Sequence, residues 1–132
     1  MGIGLGMDLV ELNRINLSLE RSSGNIIKKV LHPSEIERYE ELEQPKRKLE
    51  WFAGRLAAKE AVKKAIGNSI EMKLRLIDII IRNDRLGKPC VQLSEEKKTG
   101  FEEYAIEITI THSERTAAAV AILYPKQVFN IQ

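Results

Sequence analysis

The sequence predicts an α+β domain spanning residues 1–132 as one unit, with a mainly antiparallel sheet packed around one long helix. Three observations point there. The chain opens on a period-two stretch, "GIGLGMDLV"; helical periodicity dominates from there to Gly67; and the second half turns to β-branched runs separated by short turns. At 132 residues the chain is long enough to bury a hydrophobic core without disulfides or structural metals.

In the first stretch Ile3, Leu5, Met7 and Leu9 alternate with Gly4, Gly6, Asp8 and Val10, so Asp8 shares the glycine face of a strand. The glycines do not form a dinucleotide cradle. That motif needs a strand before the glycines and a third glycine at the G-x-G-x-x-G spacing, and this stretch offers neither. "ELNRINLSLERSSG" puts Leu12, Ile15 and Leu19 on one helical face and ends in turn chemistry. "HPSEIERYEELEQ" starts a second helix at Pro33 and Ser34, with His32 in a structural role ahead of it. Pro45 breaks that pattern, and "KRKLEWFAGRLAAKEAVKKAIG" reads as one long helix. Its inner face carries Leu49, Phe52, Leu56, Ala57, Ala61 and Ala65, and Gly67 stands at the C-cap.

Beyond it, "LIDIIIRND" and "CVQL" read as strands paired across "RLGKP". "SEEKKTGFEEYA" reads as a helix opened by Ser94 and two acids, weakened by Gly100. "IEITITHSERTAAAVAILY" closes the domain as a hairpin turning at "HSER". No motif falls on the tail "PKQVFNIQ", and no repeat or low-complexity tract occurs.

Composition excludes several functions. A net charge of +2 with interleaved signs, one Trp, three Phe and three Tyr argue against a nucleic-acid surface. No apolar run approaches a membrane span, and no signal-peptide plan opens the chain. Cys90 is the single cysteine and suits a reducing cytoplasm. With only His32 and His112 beside it, there is no zinc cluster, and without G-x-S-x-G there is no nucleophile elbow.

The candidate chemistry is acidic and basic. Glu60 and Lys64 lie four apart on one helix face, in a setting, "AGRLAAKEA", whose small residues let a ligand or backbone come close. Lys59 and Lys63 sit one step round. His112 ends the strand of Ile106, Ile108 and Ile110, and is expected to face away from that stripe among the hydroxyls of Thr109, Thr111 and Ser113. Two carboxylates, Asp8 and Glu60, with cations nearby suit one Mg²⁺ and a phosphate-bearing substrate.

Taken together, "GIGLGMDLVELNRI", "WFAGRLAAKEAVKKAIG", "NDRLGKP" and "ITITHS" resemble the short holo-acyl-carrier-protein synthases, a family of 4'-phosphopantetheinyl transferases, in order from Gly2 to Leu123. The resemblance implies that family's fold and its activity: transfer of the phosphopantetheine arm of coenzyme A to a serine of an apo carrier protein, with release of adenosine 3',5'-bisphosphate. It implies Mg²⁺ at Asp8 and Glu60, Lys64 facing the substrate phosphates, and Arg55 near the nucleotide. It places Gly67, Pro89, His112 and Ser113 along the coenzyme A pocket. Arg14, joined by Arg21, falls where an acidic carrier would dock, and the family's habit implies a homotrimer with interface sites. The serine needs a base, for which a metal-positioned water and Glu60 are both candidates. Met7 and Leu56 depart from the family pattern, Leu56 standing where an aromatic is common, and both read as packing changes. A rival reading is a non-catalytic module whose basic residues, Arg14, Arg21 and the lysine-rich helix, dock an acidic protein.

Overall fold

The computed structural model describes residues 2–67 and 73–129. Strand β1 (Gly4–Glu11) leads into α1 (Leu12–Arg21), α2 (Asn25–Val30), α3 (Pro33–Glu41) and the long α4 (Pro45–Ile66). A 3-10 turn (Leu76–Asp78) then opens β2 (Ile79–Asn83), followed by β3 (Pro89–Leu93), β4 (Tyr104–His112), β5 (Thr116–Pro125) and a closing 3-10 turn (Lys126–Phe129). The strands form two antiparallel sheets, β1-β5-β4 and β2-β3. Of the tail, residues 130–132 lie outside the described residues. No helix among the described residues is long and apolar enough to cross a membrane.

The long helix organises everything else. Pro45 starts it at a first-turn position, where its missing N–H costs nothing, and Gly67 ends it at φ 42°. Of the expected inner face, Phe52, Ala57, Ala61 and Ala65 are buried, while Leu49 and Leu56 are half-buried. The helix is covered on more sides than an amphipathic stripe requires. Ala53, Gly54, Ala58, Val62 and Ile66 are buried too, and so are Arg55 and Lys59. Its C-terminal half joins the core against both sheets. Its N-terminal half packs with Leu12, Ile15, Val30 and Leu31 of the preceding helices.

Two expectations need correction. Residues 94–103 form turns, not a helix. The Ser94 carbonyl accepts the Lys97 and Lys98 N–H groups, completing one turn, after which Gly100 takes φ 97° and Phe101 is drawn into the core. The strand expected from Leu76 begins at Ile79, because the Asp78 carboxylate accepts the Arg75 N–H at 2.9 Å and folds those residues into the 3-10 turn. The periodicity also gave no sign of α2, a six-residue helix that starts after Gly24 at φ 81°. His32 is the N-cap of α3: its Nδ1 accepts the Ser34 N–H at 3.2 Å.

Candidate active site

The glycine face of β1 lies on α4. A Cβ at Gly4 would come within 2.0 Å of the Ala65 carbonyl oxygen, and one at Gly6 within 1.9 Å of that of Ala61. Bare backbone lets strand and helix approach this closely. Gly4 and Gly6 step along the helix by one turn, so Asp8, two residues further, falls toward the turn that carries Glu60. Lys64, one turn beyond Glu60, reaches across to donate to Asp8 Oδ1 and to the Met7 carbonyl, each at 3.0 Å. Asp8 is largely shielded, Glu60 half-buried and Lys64 mostly in solvent. Gly67 follows at the helix end.

Asp8 and Glu60 are the residues that would hold a cation here. Among the described residues no group of three or more His, Cys, Asp and Glu clusters tightly enough to cage a metal. Two carboxylates suit an ion that keeps most of its water and accepts phosphate oxygens, as Mg²⁺ does.

His112 and Ser113 form a second group. His112 has the parity of Ile106, Ile108 and Ile110, and correspondingly points to the α4 side, correcting the expectation that it turns away. Its Nδ1 lies 3.7 Å from Glu50 Oε2. The Ser113 hydroxyl is 2.8 Å from that of Thr116 and accepts the Thr116 N–H at 3.2 Å, locking the hairpin turn. This group does not meet Asp8 within one chain. Asp8 pairs with Ala119 while His112 pairs with Ala117, on opposite sides of β5. Two strand spacings of about 4.8 Å and a two-residue offset of about 7 Å separate them. Along α4, Glu50 and Glu60 are about 15 Å apart at 1.5 Å per residue.

Arg55 anchors the third group. Its guanidinium stacks 4.6 Å from the Trp51 ring centroid and donates to Asn83 Oδ1 at 3.1 Å. Burial lowers its pKa from the ordinary value, and the charge of Glu35 opposes that shift. Its Nε has no hydrogen-bond partner among the described residues. These residues line a cavity of about 280 Å³ with Ser34, Arg38 and Arg82, and Pro89 pairs with Asn83 in the β2–β3 ladder at its edge.

Arg14 and Arg21 mark two adjoining hollows along α1. Arg14 lines one with Leu9, Val10 and Ile15, and Arg21 lines the next with Ile26 and Lys29; Ser18 belongs to both. Glu11 also lines the first hollow, beside Arg14, whereas the second carries two cations, Arg21 and Lys29, among polar Ser22 and Asn25.

Sequence reasoning missed Glu35, Glu50, Trp51 and the burial of Lys59. For Glu35 a signal existed, since it stands three residues after the N-cap His32, in the capping-box position. For Lys59 none did, because a lysine beside Glu60 and Lys63 reads as solvent face.

The fold and these groupings belong to one class of group-transfer enzyme. The model of the 4'-phosphopantetheinyl transferase superfamily matches residues 4–121. A holo-[acyl-carrier-protein] synthase of Clostridium novyi is 42% identical over 126 residues, covering 93% of this chain and 88% of its own. That of Bacillus subtilis is 40% identical over 123 residues, covering 91% and 93%. A crystal structure of a holo-(acyl-carrier-protein) synthase from Bacillus anthracis, in complex with CoA (3',5'-ADP), superposes with a TM-score of 0.78 at 34% identity. It covers 95% of this chain and 99% of its own. The chain belongs to the 4'-phosphopantetheinyl transferase superfamily and is an enzyme of that class, as its four motifs led one to expect.

Proposed function

We propose that this enzyme moves the 4'-phosphopantetheine arm of coenzyme A onto a serine of an apo acyl carrier protein, with Mg²⁺ required and adenosine 3',5'-bisphosphate released. The observation that carries this reading is the Asp8–Lys64 contact beside the helix turn of Glu60, a pair of carboxylates with a releasable cation. The coenzyme A complex of the related Bacillus anthracis structure supports the donor, and the names of the relatives support the acceptor.

In the reaction the carrier serine Oγ forms a bond to the β-phosphorus while the bond from that phosphorus to the bridging oxygen breaks. The bridging oxygen leaves with the electron pair on the bisphosphate. When bound, Mg²⁺ would supply neutralisation of phosphate charge. Asp8 and Glu60 would hold it. Lys64, exposed and tethered among the described residues by two hydrogen bonds, is free to turn toward the phosphate oxygens as negative charge builds on the leaving group. The serine proton goes to a base, either a metal-positioned water or Glu60.

His112, Ser113, Arg55 and Pro89 would line the nucleotide side, and Arg14 with Arg21 would receive the acidic carrier. A homotrimer with sites at its interfaces belongs to the same proposal. It is supported by the outer face of β1 and β5, where Leu5, Met7, Leu9 and Val120 are exposed side by side. Cytoplasmic residence fits the single exposed cysteine, Cys90.

The deciding experiment incubates the protein with coenzyme A, Mg²⁺ and an apo carrier and measures intact carrier mass. Gain of one phosphopantetheine, lost on chelation, is expected. Carriers that bind without gaining mass would favour the docking module instead.

A further inference from the structure

We infer that Glu35 is a positioning residue for the nucleotide side of the site, fixing β2 against α4 so that Arg55 and Asn83 meet. This builds on the coenzyme A reading above. Glu35 is 3% exposed and every bond it makes crosses an element boundary or closes one. Its Oε1 accepts the His32 N–H at 2.8 Å and the Lys59 ammonium at 2.5 Å, and its Oε2 accepts the Ile81 N–H at 2.9 Å. Lys59, fully buried, also donates to the Val30 carbonyl at 2.6 Å. One carboxylate therefore ties the start of α3, the middle of α4, the end of α2 and β2.

The tie to Ile81 follows from sheet topology. Among the described residues β2 pairs only with β3, so its other edge carries N–H groups that the sheet leaves unbonded, and Ile81 is buried. A buried N–H without a partner is costly, and Glu35 fills that role.

Two rungs then link α4 to β2. The inner is Lys59–Glu35–Ile81, and the outer is Arg55–Asn83. Arg55 precedes Lys59 by four helical residues, about 6 Å of axis. Asn83 follows Ile81 by two strand residues, about 7 Å. The rungs are matched in spacing, but they differ in strength. The inner rung is a charged, buried and multiply bonded pair. The outer is one hydrogen bond from a guanidinium whose Nε has no partner among the described residues. The charge of Glu35 also favours the charged forms of both Lys59 and Arg55, against their burial. The inner rung thus sets where Asn83 stands, and Asn83 sets Arg55 over Trp51 at the wall of the cavity.

The test uses Glu35→Gln and Asn83→Ala in the full chain, with Trp51, the single tryptophan, as an internal probe. Glu35→Gln is expected to raise KM for coenzyme A on the order of tenfold through misplacement of the cavity wall, while KM for the carrier stays within about twofold. It is also expected to make Trp51 emission more open to iodide quenching before any ligand is added. Asn83→Ala, which cuts the outer rung alone, should reproduce the coenzyme A effect without loss of thermal stability. An unchanged coenzyme A KM in Asn83→Ala overturns the inference even where Glu35→Gln does not fold. So does a Glu35→Gln enzyme whose two KM values rise together. Absence of transfer by the wild type would instead defeat the reading of function. The iodide comparison would then still decide the positioning role, with unaltered quenching in Glu35→Gln overturning it.

Discussion

The Lys64 ammonium bridges the Asp8 carboxylate and the Met7 carbonyl, both at 3.0 Å, across the junction of α4 and β1. Lys64 is 57% exposed, so this pair contributes under about 1 kcal/mol to stability. Its worth lies in aiming a carboxylate. Lys64→Met should therefore leave the thermal midpoint within a few degrees while lowering transfer about a hundredfold, the order of loss for one charge-stabilising donor. Calorimetry and the carrier mass assay measure the two sides. Full activity in Lys64→Met would remove it from the phosphate site.

Glu60→Gln keeps shape and hydrogen bonding but removes one of the two charges offered to a cation. It should abolish magnesium-dependent turnover with circular dichroism unchanged, and Asp8→Asn should do the same. A Glu60→Gln enzyme with normal turnover and an ordinary magnesium titration would sink the metal assignment.

Gly6→Ala tests the packing that delivers Asp8. Its added Cβ would meet the Ala61 carbonyl oxygen and the Ala65 nitrogen, backbone atoms that cannot swing aside. Strand and helix must separate, at about 1–3 kcal/mol or more. Denaturant unfolding should show that loss together with weaker metal-dependent activity. Gly2→Ala, with nothing within 4 Å of the new carbon, is the control and should match wild type.

What the sequence made legible depended on periodicity. Alternation in β1 placed Asp8 with Gly4 and Gly6, and the structure shows why the glycines matter: they seat the strand on α4. Pro45 and Gly67 bounded the long helix by backbone chemistry alone. Helical patterning treats lysine as surface, so it could not show Lys59 buried, since its partner Glu35 is 24 residues away. Ser94 signalled a helix start that lasts one turn, because local capping cannot outweigh Gly100 and the pull of Phe101 into the core. The hydroxyls around His112 suggested the wrong face, where counting by twos from Ile110 gives the right one.

Acid should loosen the 3-10 turn that leads into the second sheet, where the Asp78 carboxylate holds Arg75 and Ser94. Burial raises the pKa of Asp78, but hydrogen bonds from the Arg75 side chain and backbone, the Arg75 charge and the Ser94 hydroxyl outweigh it. Its net pKa is lowered. A carboxyl depressed in the folded state contributes stability that is present above its unfolded pKa, near 3.9, and lost as pH falls through the folded value. Asp78→Asn should therefore lower stability at neutral pH and flatten its decline below about pH 4, followed by urea unfolding at successive pH values. A mutant whose acid decline parallels the wild type would remove Asp78 from that role.

The outer face of β1 is apolar and exposed in a single chain. Ile3, Leu5, Met7 and Leu9 all exceed half exposure, and Met7 faces exposed Val120 across the ladder. Contiguous apolar area of this kind is rare on a monomer and marks an interface. The same strand carries Asp8 on its other face, so an interface there would sit one residue from Asp8. Because His112 and Asp8 do not meet within a chain, a neighbouring copy could bring its own His112 group to the Asp8 side. Leu5→Glu with Met7→Glu puts charges into that contact while leaving the α4 side untouched and sparing Leu9, which lines the Arg14 hollow. The expected result is a trimer for wild type by light scattering and a folded monomer for the double variant, with transfer lost on dissociation. A wild type that is monomeric at assay concentration and fully active would refute both the trimer and the shared site.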